Sequence, residues 1–138
     1  MNKQRIVVVC PGRGSYSRDT NGYFNNHDNK ASSHLSVINN KRIKDGQLGI
    51  IELDSMSFKS KIHMTGENAS SLIYACSLND FLSLDLNKYE IVAVTGNSMG
   101  WYSALAFAGA LSYENGYDLV NTMGSMMKNK IIGELYKG

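Results

Sequence analysis

The sequence predicts an α/β domain with a parallel sheet, and three observations support this fold class. Two continuous runs of mostly β-branched residues, Arg5 to Cys10 and Glu90 to Thr95, are typical of strands that are buried on both faces. Each run ends at a turn that contains glycine. A segment with helical spacing separates the runs and an Ala-rich segment follows the second, as expected of alternating strands and helices.

Length and composition indicate one domain that does not cross a membrane. The chain has 138 residues, of which 43% are hydrophobic and 19% are charged. No apolar run reaches the roughly 18 to 20 residues of a membrane-spanning helix, and the charged N-terminus is unlike a secretion signal. We therefore expect no membrane partner and a cytoplasmic location.

Charge and cysteine usage exclude two further classes of site. The net charge of +2 is small and the Lys and Arg residues are scattered, so we expect no nucleic-acid partner. Cys10 and Cys76 show neither CxxC spacing nor a nearby histidine, so we expect two buried, reduced thiols and no metal site.

The segment between the two strands contains the predicted helices. Ser17 to Lys30 is polar and has no clear period, which predicts a long loop with at most a short helix. Helical spacing is weak over Ser32 to Lys44 and around Leu48 to Met56, and clear over Asn68 to Leu84. The buried face of the last segment is predicted to contain Ala69, Leu72, Ile73, Cys76 and Leu82.

A further helix is predicted after the second strand, from about Tyr113 to Lys128. Ser112 is a good N-cap, and Glu114 lies in the first turn, where an acidic residue is favourable. The apolar positions that follow at helical steps are Tyr117, Val120, Met123, Met127 and Ile131.

The segment from Gly96 to Gly100 reads G-N-S-M-G between the second strand and a helix, the setting in which G-x-S-x-G forms a nucleophile elbow. The turn presents Ser98 above the sheet, and the unpaired N–H of Met99 faces an oxyanion. The alternative is a simple turn with a helix cap. The small residues that follow favour the elbow: Ala104, Ala106, Ala108 and Gly109.

The loop from Pro11 to Ser15 follows the first strand and is also rich in glycine. A phosphate-binding loop is disfavoured, because G-x-x-x-x-G-K-[ST] is absent and Ser17 stands where G-x-G-x-x-G requires glycine. A loop facing the elbow can instead supply the second oxyanion amide, here the N–H of Arg13.

Together these segments resemble the malonyl-CoA:acyl-carrier-protein transacylase family. Gly96 to Leu105 and Ala108 to Ser112 resemble the region of its nucleophile, and Pro11 to Ser15 resembles its first loop. Glu67 to Leu78 and Leu119 to Met127 resemble two of its helices. The resemblance implies a three-layer, hydrolase-like core with a parallel sheet, of which residues 1–138 would be the N-terminal portion, without the inserted subdomain and the C-terminal part.

The resemblance implies that Ser98 accepts an acyl group from coenzyme A and passes it to the phosphopantetheine thiol of acyl carrier protein, in fatty-acid or polyketide synthesis. No cofactor is implied beyond these two substrates. The backbone amides of Arg13 and Met99 would form the oxyanion hole. Asn68 stands where the family commonly has a glutamine near the pocket.

Four positions depart from the family pattern near the substrate. Asn97 replaces a histidine, Trp101 a glutamate and Arg13 a glutamine. Trp101 lies either at the acyl or pantetheine entrance or in core packing. Met123 replaces the arginine that pairs with the malonyl carboxylate, so an uncharged acyl group competes with malonyl as the substrate. Alternatively, Met123 belongs to the core and another cation binds the carboxylate.

The general base is the main gap in the resemblance. The family's histidine lies far downstream of the elbow, whereas His27, His34 and His63 lie upstream in polar segments and are interpreted as exposed or hydrogen-bonded surface residues. We therefore expect a C-terminal segment or a complementary chain to supply the base. A serine esterase or thioesterase, and a non-catalytic module that binds carrier protein, are the alternative functions.

Overall fold

The computed structural model describes residues 2–126 and contains nine regular elements over that range. The strands are β1 (Gln4–Cys10) and β2 (Tyr89–Gly96). A 3-10 turn at Arg13–Ser15 follows β1. The helices are α1 (Tyr23–Asn26), α2 (Ser32–Lys44), α3 (Ile50–Ser55), α4 (Ser60–His63), α5 (Gly66–Leu82), α6 (Gly100–Phe107) and α7 (Tyr113–Ser125). Met127, Lys128 and Ile131 of the predicted last helix lie outside the described residues.

The two strands pair in parallel, which confirms the α/β class. Their register runs from Gln4 opposite Tyr89 to Cys10 opposite Gly96. The register shifts by one residue after Ile6, and Val92 is the extra residue in β2. Because β1 and β2 are parallel neighbours, the loops that follow them leave the same edge of the sheet.

The prediction that both faces of the strands are buried is wrong for residues 2–126. Val8 packs against the hydrophobic core, whereas Val7 and Val9 on the opposite face are 54% and 66% exposed. Val92 of β2 is also exposed. The described helices cover one face only, so this range forms two layers and not three. A run of β-branched residues indicates that both faces of a strand are apolar, but it does not indicate whether other elements cover both faces.

Helix α5 is the centre of the core. Its N-cap is Thr65, whose hydroxyl oxygen accepts a hydrogen bond from the Asn68 N–H at 3.3 Å. The predicted face is largely confirmed, because four of its five members are buried. The opposite side is buried too, since α3, α4, α6, α7 and the 3-10 turn surround the helix. The additional buried residues are Ser70, Ser71, Tyr74, Ala75, Leu78 and Asn79.

The connection between α6 and α7 shows why each helix begins and ends where it does. Gly109 adopts a positive φ of 88°, and the N–H of Ala110 donates to the Leu105 oxygen at 2.9 Å, which terminates α6. The predicted N-cap of α7 is confirmed, because the Ser112 hydroxyl oxygen accepts from the Asn115 N–H at 3.0 Å. Within residues 2–126, no helix is both long and apolar enough to span a membrane.

Candidate active site

The turn between β2 and α6 holds Ser98 in an uncommon backbone conformation. Its φ is 54°, and among the described residues Ser98 is the only one other than glycine with a positive φ. Such a conformation is costly for a residue with a Cβ atom, and it persists only where surrounding contacts impose it. The Ser98 side chain is exposed. These are the geometric features of a nucleophile elbow.

Two glycines allow the strand, the turn and the helix to pack this tightly. A Cβ atom on Gly96 would lie 2.3 Å from the carbonyl carbon of Gly100. A Cβ atom on Gly100 would lie 2.1 Å from the carbonyl oxygen of Cys10. In both places the obstructing atoms belong to the backbone, so a side chain cannot be accommodated by a change of rotamer.

The loop after β1 contacts the elbow directly. The N–H of Asn97 donates to the Cys10 oxygen at 3.0 Å. The position of a Cβ atom on Gly12 lies 3.3 Å from the Cβ of Ser98 and 3.0 Å from the Asn97 oxygen. The 3-10 turn that carries Arg13 therefore begins next to the Ser98 side chain.

Two backbone amides at this place have no hydrogen-bond acceptor within the described part of the chain. Neither the Met99 N–H nor the Arg13 N–H donates to any acceptor among residues 2–126, whereas the Gly100 N–H already donates to the Asn97 oxygen at 2.9 Å. Free amides beside a nucleophile can stabilise the oxyanion that its attack on a carbonyl creates.

A cavity of about 910 Å³ opens beside Ser98. Five of the seven sequence-predicted site residues line it: Ser98, Met99, Arg13, Asn97 and Met123. The other lining residues, which sequence reasoning did not assign to a site individually, are Gly12, Gly14, Ser15, Met64, Ala69, Ser70, Tyr102 and Gly124.

Asn68 is placed away from the cavity. Its side-chain oxygen accepts a hydrogen bond from the Arg42 guanidinium at 2.6 Å, and its side-chain nitrogen donates to the Ile62 oxygen at 2.9 Å. Arg42 is fully buried and also donates to the Ser71 hydroxyl at 2.9 Å and the Leu48 carbonyl oxygen at 2.5 Å. Asn68 therefore belongs to a buried polar network that joins α2 to α5, and it does not line the cavity.

Trp101 also lies outside the cavity lining. Its side chain is 55% exposed, which rules out core packing among the described residues, and it is not part of the cavity lining. The next residue of α6, Tyr102, lines the cavity instead. A shift of one position turns a helical side chain by about 100°, and the resemblance alone does not fix that rotation.

None of the three histidines lines the cavity formed by the described residues. His27 is bonded to the Tyr23 oxygen at 2.8 Å and stacks on its ring. His34 contacts the Glu114 carboxylate at 2.6 Å. Each imidazole is therefore engaged within its own segment or with α7.

The surface interpretation of His63 is wrong, because this residue is fully buried. Its Nε2 atom donates to the Leu53 oxygen at 2.8 Å, and its Nδ1 atom accepts from the Lys59 N–H at 3.0 Å. Tyr16 and Phe58 stack against its ring. Tyr16 lies 47 residues earlier in the sequence, so the polar segment around His63 did not indicate how deeply the residue is buried.

The cysteines offer no alternative nucleophile. Cys10 and Cys76 are free and buried, as predicted. Burial raises the pKa of the Cys10 thiol to about 11 and also raises that of Cys76, so both thiols are protonated at neutral pH. Among residues 2–126, no group of three His, Cys, Asp or Glu side chains could hold a metal ion.

One sequence signal could have identified part of the missed lining. Gly66 and Ser70 are small residues four positions apart at the start of α5, a spacing that allows another helix to approach. Gly124 of α7 uses this gap, because a Cβ atom there would lie 2.7 Å from the Gly66 oxygen and 2.9 Å from the Ser70 hydroxyl. Ser70 and Gly124 meet at the cavity wall.

In comparisons with known proteins, no family model matches the chain, and no curated protein or solved structure is significantly similar to it.

Proposed function

We propose that this chain carries the nucleophile of an acyltransferase that moves acyl groups from coenzyme A to acyl carrier protein, as in the malonyl-CoA:acyl-carrier-protein transacylase family. The main support is the positive φ of Ser98. The Ser98 side chain also lies next to the turn that carries Arg13. Strain of this kind is stored where a function uses it. A simple helix cap requires neither the strain nor the second loop.

The reaction proceeds in two balanced steps. In the first step, the Ser98 oxygen attacks the thioester carbonyl, the carbon–sulfur bond breaks, and coenzyme A leaves as a thiol with the serine proton. In the second step, the phosphopantetheine sulfur attacks the carbonyl of the acyl-serine ester, the carbon–oxygen bond to Ser98 breaks, and the thiol proton returns to the Ser98 oxygen. The amides of Met99 and Arg13 bind the oxyanion in both steps, each contributing about 3 to 4 kcal/mol in the transition state.

A general base for Ser98 comes from polypeptide outside residues 2–126 in this proposal. All three histidines of the sequence are engaged away from the cavity, and the Asn97 amide beside Ser98 is not a base. A C-terminal segment of a longer chain, or a complementary chain, would supply it. The same polypeptide would cover the exposed face around Val7 and Val9 and complete a three-layer, hydrolase-like core.

The proposal is tested by following one acyl-CoA with carrier protein present and absent. We expect acyl transfer to the carrier thiol by the wild-type chain, in complex with its complementary polypeptide where one is identified, and no transfer by Ser98→Ala. Release of free acid at the same rate with or without carrier protein would instead identify a thioesterase or esterase.

A non-catalytic module that binds carrier protein is the second candidate, because no described histidine approaches Ser98. This candidate predicts that Ser98→Ala binds carrier protein as tightly as the wild type and that neither forms an acyl adduct. Calorimetric titration with phosphopantetheinylated carrier protein, followed by mass measurement of the recovered chain, separates the two functions.

A further inference from the structure

The residues that line the cavity form two groups of different chemistry. The first group surrounds Ser98 and consists largely of the turn after β1 and the elbow. The second comes from the start of α5, the residue before its N-cap and the end of α7, and we call it the apolar end. Its members are Met64, Ala69, Ser70, Met123 and Gly124.

The apolar end contains no charged residue. Arg13 is the only Lys, Arg, His, Asp or Glu among the described residues that line the cavity, and its turn begins beside Ser98. A carboxylate placed between Met64 and Met123 would lose water without gaining a cation, which is strongly unfavourable. Methionine side chains are flexible and polarizable, so they adapt to apolar groups of different shape.

Ser70 is the one polar residue of the apolar end, and its hydroxyl has no partner among the described residues. The residue is 1% exposed, and its oxygen lies beside Gly124 at the cavity wall. No atom among residues 2–126 is within hydrogen-bonding geometry of this hydroxyl. Unlike the Ser103 hydroxyl, the Ser70 oxygen is not completely buried, so it is reached from the cavity. A ligand in the cavity can therefore accept the hydrogen bond of Ser70 in place of water.

We infer that the apolar end binds an uncharged acyl group that carries an oxygen substituent beyond its thioester carbonyl, and that Ser70 donates a hydrogen bond to this oxygen. The inference rests on the proposed acyl transfer, in which the thioester carbonyl oxygen is bound by the amides of Met99 and Arg13. An acyl chain that extends from Ser98 into the apolar end meets one polar side chain among the members of that end, the side chain of Ser70.

Three coenzyme A esters test this inference: 3-hydroxybutyryl-CoA, butyryl-CoA and malonyl-CoA. Each is incubated with the chain, in complex with its complementary polypeptide where one is identified, and the acyl adduct is followed by intact-protein mass spectrometry. We expect 3-hydroxybutyryl to form the adduct about fivefold faster than butyryl, the size of one neutral hydrogen bond. We expect butyryl-CoA to form the adduct at least about tenfold faster than malonyl-CoA, because the malonyl carboxylate stays unpaired.

Two pairs of variants assign these preferences to residues. In Ser70→Ala, the adduct should form at nearly the same rate from 3-hydroxybutyryl-CoA and from butyryl-CoA. Ser103→Ala is its matched control, because Ser103 is also buried with an unpartnered hydroxyl but does not line the cavity. Met123→Arg should raise the rate of malonyl adduct formation at least about tenfold relative to the butyryl rate, because it places a cation at the apolar end. Met126→Arg is its control, since Met126 is 62% exposed and outside the lining.

The outcomes separate this inference from the proposed function. If the wild-type chain forms the malonyl adduct faster than the butyryl adduct, the inference is wrong, but the proposed acyl transfer is not affected. The same holds if Ser70→Ala keeps the wild-type ratio of the 3-hydroxybutyryl rate to the butyryl rate. An adduct from none of the three esters, with the complementary polypeptide present, overturns the proposed function and the inference with it.

Discussion

Gly100 lies so close to Cys10 that a Cβ atom on the glycine would stand 2.1 Å from the cysteine's carbonyl oxygen. The first turn of α6 is therefore in backbone contact with the end of β1. This contact sets the position of the elbow relative to the loop that carries Arg13, because that loop begins after Cys10 and the elbow ends at Gly100.

Gly100→Ala should lower the free energy of unfolding by about 3 kcal/mol, because the backbone of α6 or β1 must move to admit the methyl group. Gly14→Ala is the matched control, since no atom lies within 4 Å of its Cβ position, and should change stability by less than about 1 kcal/mol. Urea unfolding followed by circular dichroism measures both. Equal stability of the two variants would contradict the close contact.

Ser98→Gly should stabilise the fold by about 1 kcal/mol while removing the nucleophile, because glycine adopts a positive φ without strain. Ser98→Ala removes the same hydroxyl but retains the strained Cβ atom, so it should bring no such gain. Thermal unfolding of both variants compares them. If the alanine variant gains as much stability as the glycine variant, the hydroxyl and not the backbone is the source of the strain.

Asn68→Ala should cost about 2 kcal/mol of stability, because it deprives the buried Arg42 guanidinium of an acceptor. Asn68→Asp should cost less, since its carboxylate keeps an oxygen for Arg42 and loses only the donor to the Ile62 oxygen. Denaturant titration measures the free energy of unfolding of both variants and shows which of them is less stable. Two variants of wild-type stability would mean that Asn68 is free for another role.

The His34–Glu114 pair should make the link between α2 and α7 sensitive to acid. The hydrogen bond from His34, at 2.6 Å, lowers the pKa of the Glu114 carboxyl below its ordinary value of 4.5. A lowered pKa means that the carboxylate stabilises the fold above pH 4.5 and loses this contribution as the pH falls through the shifted value. The pair is partly exposed, so we expect about 0.5 to 1 kcal/mol.

Glu114→Gln measures this contribution. The variant should be less stable than the wild type at pH 6, and the difference should shrink as the pH falls below 4.5. Unfolding curves at pH 6, 4.5 and 3.5 provide the comparison. A difference that stays constant over this range would show that the carboxylate charge does not contribute.

The local features of the fold were predictable because short segments encode them. The strands at residues 4–10 and 89–96, the N-cap at Ser112 and the helix from Tyr113 follow from β-branched runs, glycine turns and helical spacing. The turn that holds Ser98 was predictable for the same reason, since its two glycines are required by backbone contacts that the G-x-S-x-G pattern implies.

The features that depend on distant segments were not predictable. His63 is buried partly by Tyr16, which lies 47 residues earlier and is not revealed by the segment around His63. Asn68 turns toward Arg42, 26 residues earlier, and away from the cavity. The spacing of Gly66 and Ser70 indicates a place where a helix can approach, but it does not reveal that the helix is α7 or that a cavity lies beside the contact.

Site mapping of acylation tests the nucleophile most directly. The chain, in complex with the polypeptide that supplies the general base, is treated with a serine-reactive fluorophosphonate, digested, and analysed by peptide mass spectrometry, with Ser98→Ala as the control. We predict one adduct, on Ser98, while the exposed Ser15 and Ser33 stay unmodified. An unmodified Ser98, or labelling spread equally over the exposed serines and retained in Ser98→Ala, would contradict the proposed nucleophile.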